Sequence, residues 1–431
     1  MTMPRARDRR QFLRNVALLA AGASVPGLWT SARARAKGAR VVVVGGGFAG
    51  ATCAKYLRRA DPSIQVTLVE RERQYVTGPF SNLVLAGVRT LKDLTLSYDR
   101  LMRDHEIDVV NGEAVAIDPP GHRITLRDRS VLAYDRLVVA PGIDIDYSAL
   151  AGYDQQAASA MPHAWIPGPQ TELLRRQLEA MRDGATVLLS VPPAPLRCPP
   201  GPFERASLIA FYLKSRKPRC KVLILDANES FPDQELFLEG WLALYSGMIE
   251  WVPGSKGGKV VRVEPGAMTV HTAAGSHTAD VVNIIPPQKA GGIAAAGGLA
   301  NASGWCPVDA RTFESTLHPG IHVIGDAAIG GKLPKSAAVA NSQAKVCATA
   351  VAQLLAGQQV GEPSFVNACY SLVSPSYGIS IAGVYGLTPE GITLLPDAFG
   401  TSPLRAPKNY REREARDAEG WYRNIVADSF A

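Results

Sequence analysis

Several absences narrow what this chain can be. Outside its N-terminal segment it has no apolar run approaching the ~18–20 residues that a membrane-spanning helix needs, so no span is expected in the mature protein. The six cysteines, Cys53, Cys198, Cys220, Cys306, Cys347 and Cys369, include no C-x-x-C pair and no metal-ligand spacing. No C-x-x-C-H occurs, so no c-type haem is attached to this chain. A basic field is missing too. The net charge is +7 over 431 residues, but residues 1–36 hold seven arginines and one aspartate, leaving about +1 for the rest. That excludes nucleic-acid binding driven by charge. What remains is 46% hydrophobic and 20% charged, a globular composition long enough for two or three domains.

The first 36 residues read as a targeting segment. Arg9-Arg10-Gln11-Phe12-Leu13 is a twin-arginine pattern, residues 16–28 are apolar and small, and both Ala32-Arg33-Ala34 and Ala34-Arg35-Ala36 fit A-x-A cleavage. Twin-arginine export carries folded proteins, which suits one that acquires its cofactor before crossing. The mature protein is expected in the periplasm, where disulfides are permitted.

Residues 40–50, RVVVVGGGFAG, hold the strongest local signal. Four valines make a buried parallel strand, and Gly45, Gly47 and Gly50 give G-x-G-x-x-G at the turn into a helix. The first glycine permits the turn, the second admits a pyrophosphate, and the third brings helix and strand together. Phe48 and Ala49 open the helix whose N–H groups face the phosphates. Glu70, 20 residues after Gly50, ends the next apolar run, where an acid binds a ribose 2′-hydroxyl; Arg71 follows it. Residues 318–328, HPGIHVIGDAA, contain Gly325-Asp326 at the end of an apolar run, before small residues expected to open a helix. This resembles the second FAD fingerprint of two-dinucleotide-domain flavoproteins, in which the aspartate binds the ribityl chain. Residues 134–142, YDRLVVAPG, with Ala140, Pro141 and Gly142 at the turn, resemble the strand that returns the chain to the FAD domain.

A second α/β unit follows, with helices expected over 171–182 and 204–215 and strands over 185–191 and 221–226. Its first strand ends in VPPAPLRCPPGPFE, residues 191–204, not in a glycine pattern. Prolines offer phosphate no N–H and fix φ, which argues against a nicotinamide site. Cys198 lies in this turn ahead of a helix. Arg197 and the helix N-terminus are expected to favour its thiolate; from chemistry alone an incidental cysteine is an equal reading. Cys53 and Cys347, in helices of small residues, are expected as buried core thiols.

The turn RCPPGPFERAS, with NIIPPQKAG, GWCPVD, NSQAKV, NACYSLVSPSYGISIAGVY and WYRNIV, resembles the flavoprotein subunit of flavocytochrome c sulfide dehydrogenase over nearly the whole mature chain. The related flavoprotein of thiosulfate-oxidising systems is similar as well. The resemblance implies a redox disulfide beside the flavin between Cys198 and Cys369, with Glu204 as proton acceptor. It implies sulfide as substrate, polysulfide or zero-valent sulfur as product, and a c-type cytochrome subunit carrying haem c as partner in a heterodimer. Asn82 falls in the family segment T-C-x-x-S-N, written here Thr77-Gly78-Pro79-Phe80-Ser81-Asn82. Gly78 replaces the cysteine through which some members attach FAD, so FAD is expected to be non-covalent.

The expected fold is α/β: two Rossmann-like domains of glutathione-reductase type plus a C-terminal α+β interface domain. The divisions are 1–36 for the signal, 37–152 and 286–362 for the FAD domain, 153–285 for the second unit and 363–431 for the interface. Two other readings stand beside sulfide dehydrogenase. One is a sulfide:quinone oxidoreductase, disfavoured by the charged run 408–419. The other is an accessory flavoprotein that reactivates a thiosulfate-oxidising complex.

Overall fold

The computed structural model describes residues 38–431, so the twin-arginine segment lies outside the described residues. The first domain opens with β1 (Arg40–Val44), α1 (Phe48–Ala60), β2 (Gln65–Glu70), β3 (Asp108–Asn111) and β4 (Arg136–Val139). The second contains α2 (Pro169–Ala180), β5 (Thr186–Val191), α3 (Gly201–Arg216), β6 (Lys221–Asp226), α4 (Gln234–Tyr245), β7 (Ile249–Val252) and β8 (Val281–Ile284). The chain then returns to the first with β9 (Ile321–Val323) and α5 (Ala337–Leu355). It ends in β10 (Ser364–Ser374), β11 (Tyr377–Thr388), β12 (Gly391–Thr401) and α6 (Lys408–Phe430).

The first sheet has the order β9-β4-β1-β2-β3 and the second β7-β6-β5-β8, and every pairing in both is parallel. Strands covered on both faces read as unbroken apolar runs, which is why VVVV and VLLSV are strands. The pleat divides the work of β1. Val41 and Val43 pack into a core with Ala51, Cys53 and Leu57 of α1 and Ala344 and Cys347 of α5. Val42 and Val44 face Leu137, Val139 and the core shared with the second domain. Each fully buried valine contributes roughly 1.5–3 kcal/mol. Cys53 and Cys347 are buried as expected, in the same core.

One local expectation fails. No helix follows Asp326 directly. The chain makes a single 3₁₀ turn over Gly325–Ala327, and α5 begins only at Ala337. The intervening Gly331 is left-handed at φ +62°, which interrupts a right-handed helix, and Ser336 caps α5 by accepting from Val339 N at 3.1 Å.

The last unit is an antiparallel sheet, β10-β11-β12, covered by α6. The charged run 408–419 forms the first half of α6. Its buried side carries Arg411, Glu414, Ala415, Ala418, Tyr422 and Ile425. Glu414 is fully buried and accepts from Ser380 Oγ at 2.8 Å and Ser402 Oγ at 2.6 Å. The far end of α6 returns to α1: Thr52 Oγ1 donates to Ser429 Oγ at 2.9 Å, and Phe430 packs edge-on against Phe48 at 5.5 Å. Among the described residues no helix is long and apolar enough to cross a membrane.

Candidate active site

The glycine turn leaves β1 where the strand order reverses, between β2 and β4. It is packed to the limit of glycine. Gly45 sits at φ +100°, and a Cβ there would lie 2.2 Å from the Ala140 carbonyl oxygen. A Cβ on Gly50 would lie 1.7 Å from the Gly45 oxygen. Gly47, by contrast, has its nearest neighbour, Tyr75, 3.5 Å from such a Cβ, so its outer side stays approachable. The N-terminus of α1 has no capping side chain and no acid in its first turn, leaving N–H groups and the positive end of the dipole for an anion. Glu70 stands at the end of β2, its Oε2 accepting from Gly46 N at 2.6 Å and its Oε1 from Glu72 N at 2.9 Å. Arg71 is exposed beside it. Ala140, Pro141 and Gly142 (φ +64°) form the opposite lip at the end of β4. This cradle fits the pyrophosphate and ribose of a dinucleotide.

Asp326 continues the site. Gly325, at φ +75°, donates its N–H to Gln343 Oε1 at 2.8 Å, and a Cβ there would lie 2.9 Å from Ala49. Burial pushes the Asp326 carboxyl up, against the opposing charges of Arg197 and Lys335. Lys335 Nζ donates to the carbonyls of Asp326 at 2.5 Å and Ala328 at 3.1 Å, and lies 3.8 Å over the Trp305 ring. Burial depresses this amine to about 8. Tyr75, pushed up chiefly by burial, feels the charges of Arg197, Asp326 and Glu70 as well.

The proline turn brings the cysteines in. Cys198 is held at φ +55°, a left-handed conformation costing roughly 1–2 kcal/mol for a side-chain-bearing residue. Its N–H donates to the Lys335 carbonyl at 2.7 Å, and its own carbonyl accepts from Gly201 N at 2.8 Å. Gly201 is required here, because a Cβ would lie 2.9 Å from both Cys198 Sγ and the Trp165 ring. Cys198 keeps open surface, whereas Cys369 is half-buried and the other four cysteines are buried. The expectation of a favoured thiolate is corrected. Desolvation by the surrounding protein pushes the Cys198 thiol up even though the residue keeps some open surface, Glu204, Cys369 and Asp326 act in the same direction, and Arg197 opposes only in part.

Cys369 lies on β10 and donates to Asn367 Oδ1 at 3.1 Å; burial raises it to about 11, and its hydrogen bonding with Ser336 and Asn367 opposes this only in part. Both cysteines are thiols here, and each feels the charge of Glu204. Glu204, in the first turn of α3, joins the two. Its Oε1 accepts from Leu372 N of β10 at 2.9 Å, and its Oε2 from Asn82 Nδ2 at 2.8 Å. Asn82 donates through Nδ2 to Glu204 Oε2, and its Oδ1 accepts from Arg205 Nε at 3.0 Å. Gly78, four residues earlier, faces open space: a Cβ there meets nothing within 4 Å.

Sequence reasoning passed over Arg205, Lys335 and Trp165. Arg205 left a trace, a charge one residue after Glu204 in a helix otherwise buried on most sides. Near the turn, two buried donors, Trp165 Nε1 and Gln288 Nε2, have no protein acceptor. With the uncapped α1 terminus and the glycine cradle, they leave donors for a cofactor running from Gly47 to Cys198, and the residues fit FAD. Among the described residues no His, Cys, Asp or Glu cluster suits a metal.

Comparison with known proteins agrees with this geometry. Residues 171–286 match the family model for the central part of the sulfide dehydrogenase [flavocytochrome c] flavoprotein chain, and residues 361–430 match its flavin-binding part. Residues 39–162 match pyridine nucleotide-disulphide oxidoreductase. A flavocytochrome c sulfide dehydrogenase flavoprotein chain from Chlorobaculum thiosulfatiphilum is 71% identical over 45 residues, which are 10% of this chain and 94% of that short sequence. Mouse mitochondrial sulfide:quinone oxidoreductase is 24% identical over 66% of this chain and 65% of its own length. The crystal structure of the Aquifex aeolicus sulfide:quinone oxidoreductase superposes with a TM-score of 0.70 at 18% identity, over 91% of this chain and 92% of that one, sharing the fold. A flavin cradle of two-dinucleotide-domain form, a proline turn bearing one thiol and a strand bearing the second thus sit on a matching sequence, and the chain belongs to the family of flavocytochrome c sulfide dehydrogenase flavoprotein chains.

Proposed function

We propose that this protein is a periplasmic FAD-dependent sulfide dehydrogenase that oxidises sulfide through Cys198 and Cys369 and passes electrons to a c-type cytochrome partner. The observation that carries the reading is Glu204, which reaches from the helix following Cys198 to the strand that carries Cys369 by accepting the Leu372 N–H.

In the oxidised protein the two cysteines form a disulfide. Hydrosulfide attacks one sulfur, giving a persulfide on that cysteine and a thiolate on the other. Glu204 takes the persulfide proton. Closing the disulfide again releases one zero-valent sulfur and two electrons. FAD, when bound, supplies the acceptor for those electrons, and its binding is non-covalent because Gly78 has no nucleophile. The haem lies on the partner, since this chain has no C-x-x-C-H. A quinone-linked role is less well supported, because the charged run 408–419 belongs to a helix whose buried face is spent on β11 and its neighbours.

Anaerobic titration of the purified FAD-loaded protein with sulfide tests the proposal. Flavin bleaching followed by reduction of added cytochrome c is expected. Electron delivery to a quinone but not to cytochrome c would overturn the acceptor, and no bleaching at all would overturn the activity.

A further inference from the structure

Arg205 is nearly fully buried on α3, one residue after Glu204. Its Nε donates to Asn82 Oδ1 at 3.0 Å. One terminal nitrogen donates to His163 O and Asn283 Oδ1, both at 2.9 Å, and the other to Ala164 O at 2.6 Å. Among the described residues, every hydrogen-bond acceptor of this guanidinium is a neutral oxygen. Such an arrangement costs desolvation energy and gains no ion-pair hydrogen bond, so core packing alone is a poor account of it.

The donor inventory gives a better one. A guanidinium can only donate. The Asn82 oxygen must therefore face Arg205, and its NH₂ must face Glu204. The Leu372 N–H on the other side of Glu204 is also donor-only. Both Glu204 oxygens thus meet fixed donors, an environment that suits a carboxylate and not a carboxylic acid. The charged and titratable groups facing Glu204 are Arg205 on its own helix, Cys198 in the preceding turn and Cys369 on β10.

We infer that Arg205 is a positioning residue that acts through Asn82: it fixes the amide orientation that keeps Glu204 ionised and ready to take the substrate proton. The inference rests on the proposed role of Glu204 and goes one step beyond it. Burial of the carboxylate opposes ionisation most of all and pushes Glu204 up; the Leu372 N–H, the Asn82 amide and the Arg205 charge all work against it.

The test is the pH profile of sulfide-driven flavin reduction, with rates taken per bound FAD. Asn82→Asp replaces a donor by a second carboxylate and is expected to move the acid limb up by about one pH unit or more. Asn82→Ser removes the fixed donor with little bulk and is expected to shift it in the same direction by less. A loss of FAD without a shift of the limb marks a merely structural role. Glu204→Gln separates the two ideas. If it keeps the wild-type rate and profile, Glu204 is not the proton acceptor and the inference falls with that reading. If it is slow while both Asn82 variants keep the wild-type limb, only the Arg205–Asn82 relay is overturned. Infrared difference spectra of wild type against Glu204→Gln at pH 8 add a check on the unaltered relay: carboxylate bands are expected, and a protonated carbonyl band would overturn it.

Discussion

Glu204 Oε1 accepts the backbone N–H of Leu372 at 2.9 Å, across 168 residues of chain. That one bond fastens the helix following Cys198 to the strand carrying Cys369. Replacing Glu204 by Gln keeps an oxygen for Leu372 but no proton acceptor. Sulfide-driven flavin reduction is expected to fall about 10²-fold or more, the usual scale for a lost general base, with FAD content unchanged. Stopped-flow absorbance at the flavin band measures it.

The glycine turn has a steric answer. Gly50→Ala puts a Cβ 1.7 Å from the Gly45 carbonyl oxygen, so β1 and α1 must separate. Flavin per protein, read from the visible and ultraviolet absorbance of the purified variant, is expected to drop to a small fraction of wild type.

Gly78 gives the opposite expectation. A Cβ there meets nothing within 4 Å, and Gly78→Cys is expected to leave the melting temperature within a few degrees of wild type. After acid precipitation the wild-type flavin is expected in the supernatant. Flavin retained on the wild-type pellet would contradict non-covalent binding, and retention in Gly78→Cys alone would show that position 78 lies within reach of the flavin ring.

Stability should depend on a buried imidazole. Burial first, then the charges of Arg205 and Arg197, depress His163 from its ordinary 6.5 to about 4. The folded state holds this ring neutral, so its contribution is fully present above pH 6.5 and is lost as pH falls from 6.5 towards 4, on the order of 3 kcal/mol in all. His322 is depressed in the same direction, also chiefly by burial. Urea midpoints at pH 7.5, 6 and 5 are expected to fall in that order, with a shallower decline in His163→Gln. The Gln oxygen can still accept the Trp165 N–H that His163 Nδ1 accepts at 3.0 Å.

The sequence read well where one residue type has one physical use. Valine runs buried on both faces gave β1 and β5, and strand β6 falls at residues 221–226 as expected. Glycines with no room for a Cβ marked the cradle. It read less well where a side chain's role depends on partners far away along the chain. Nothing in the sequence shows that Asn82 bridges Glu204 and Arg205, which only the fold brings to it. The Cys198 turn suggested a stabilised thiolate because Arg197 is adjacent. Desolvation in the folded turn reverses this first, and the carboxylates and second thiol that add to it come from α3, β10 and the Asp326 turn. Small residues after Asp326 suggested a helix, but glycines and a proline delay it to Ala337.

The end of α6 carries a consequence for the glycine turn. Phe430 packs on Phe48 and stacks on Tyr75 at 5.5 Å, directly behind the glycine turn, and Tyr98, whose hydroxyl donates to Gly46 O at 3.1 Å, touches the same ring. The two ends of the described chain thus meet behind the nucleotide turn, so that loosening α6 at Phe430 unbraces a turn encoded some 380 residues away.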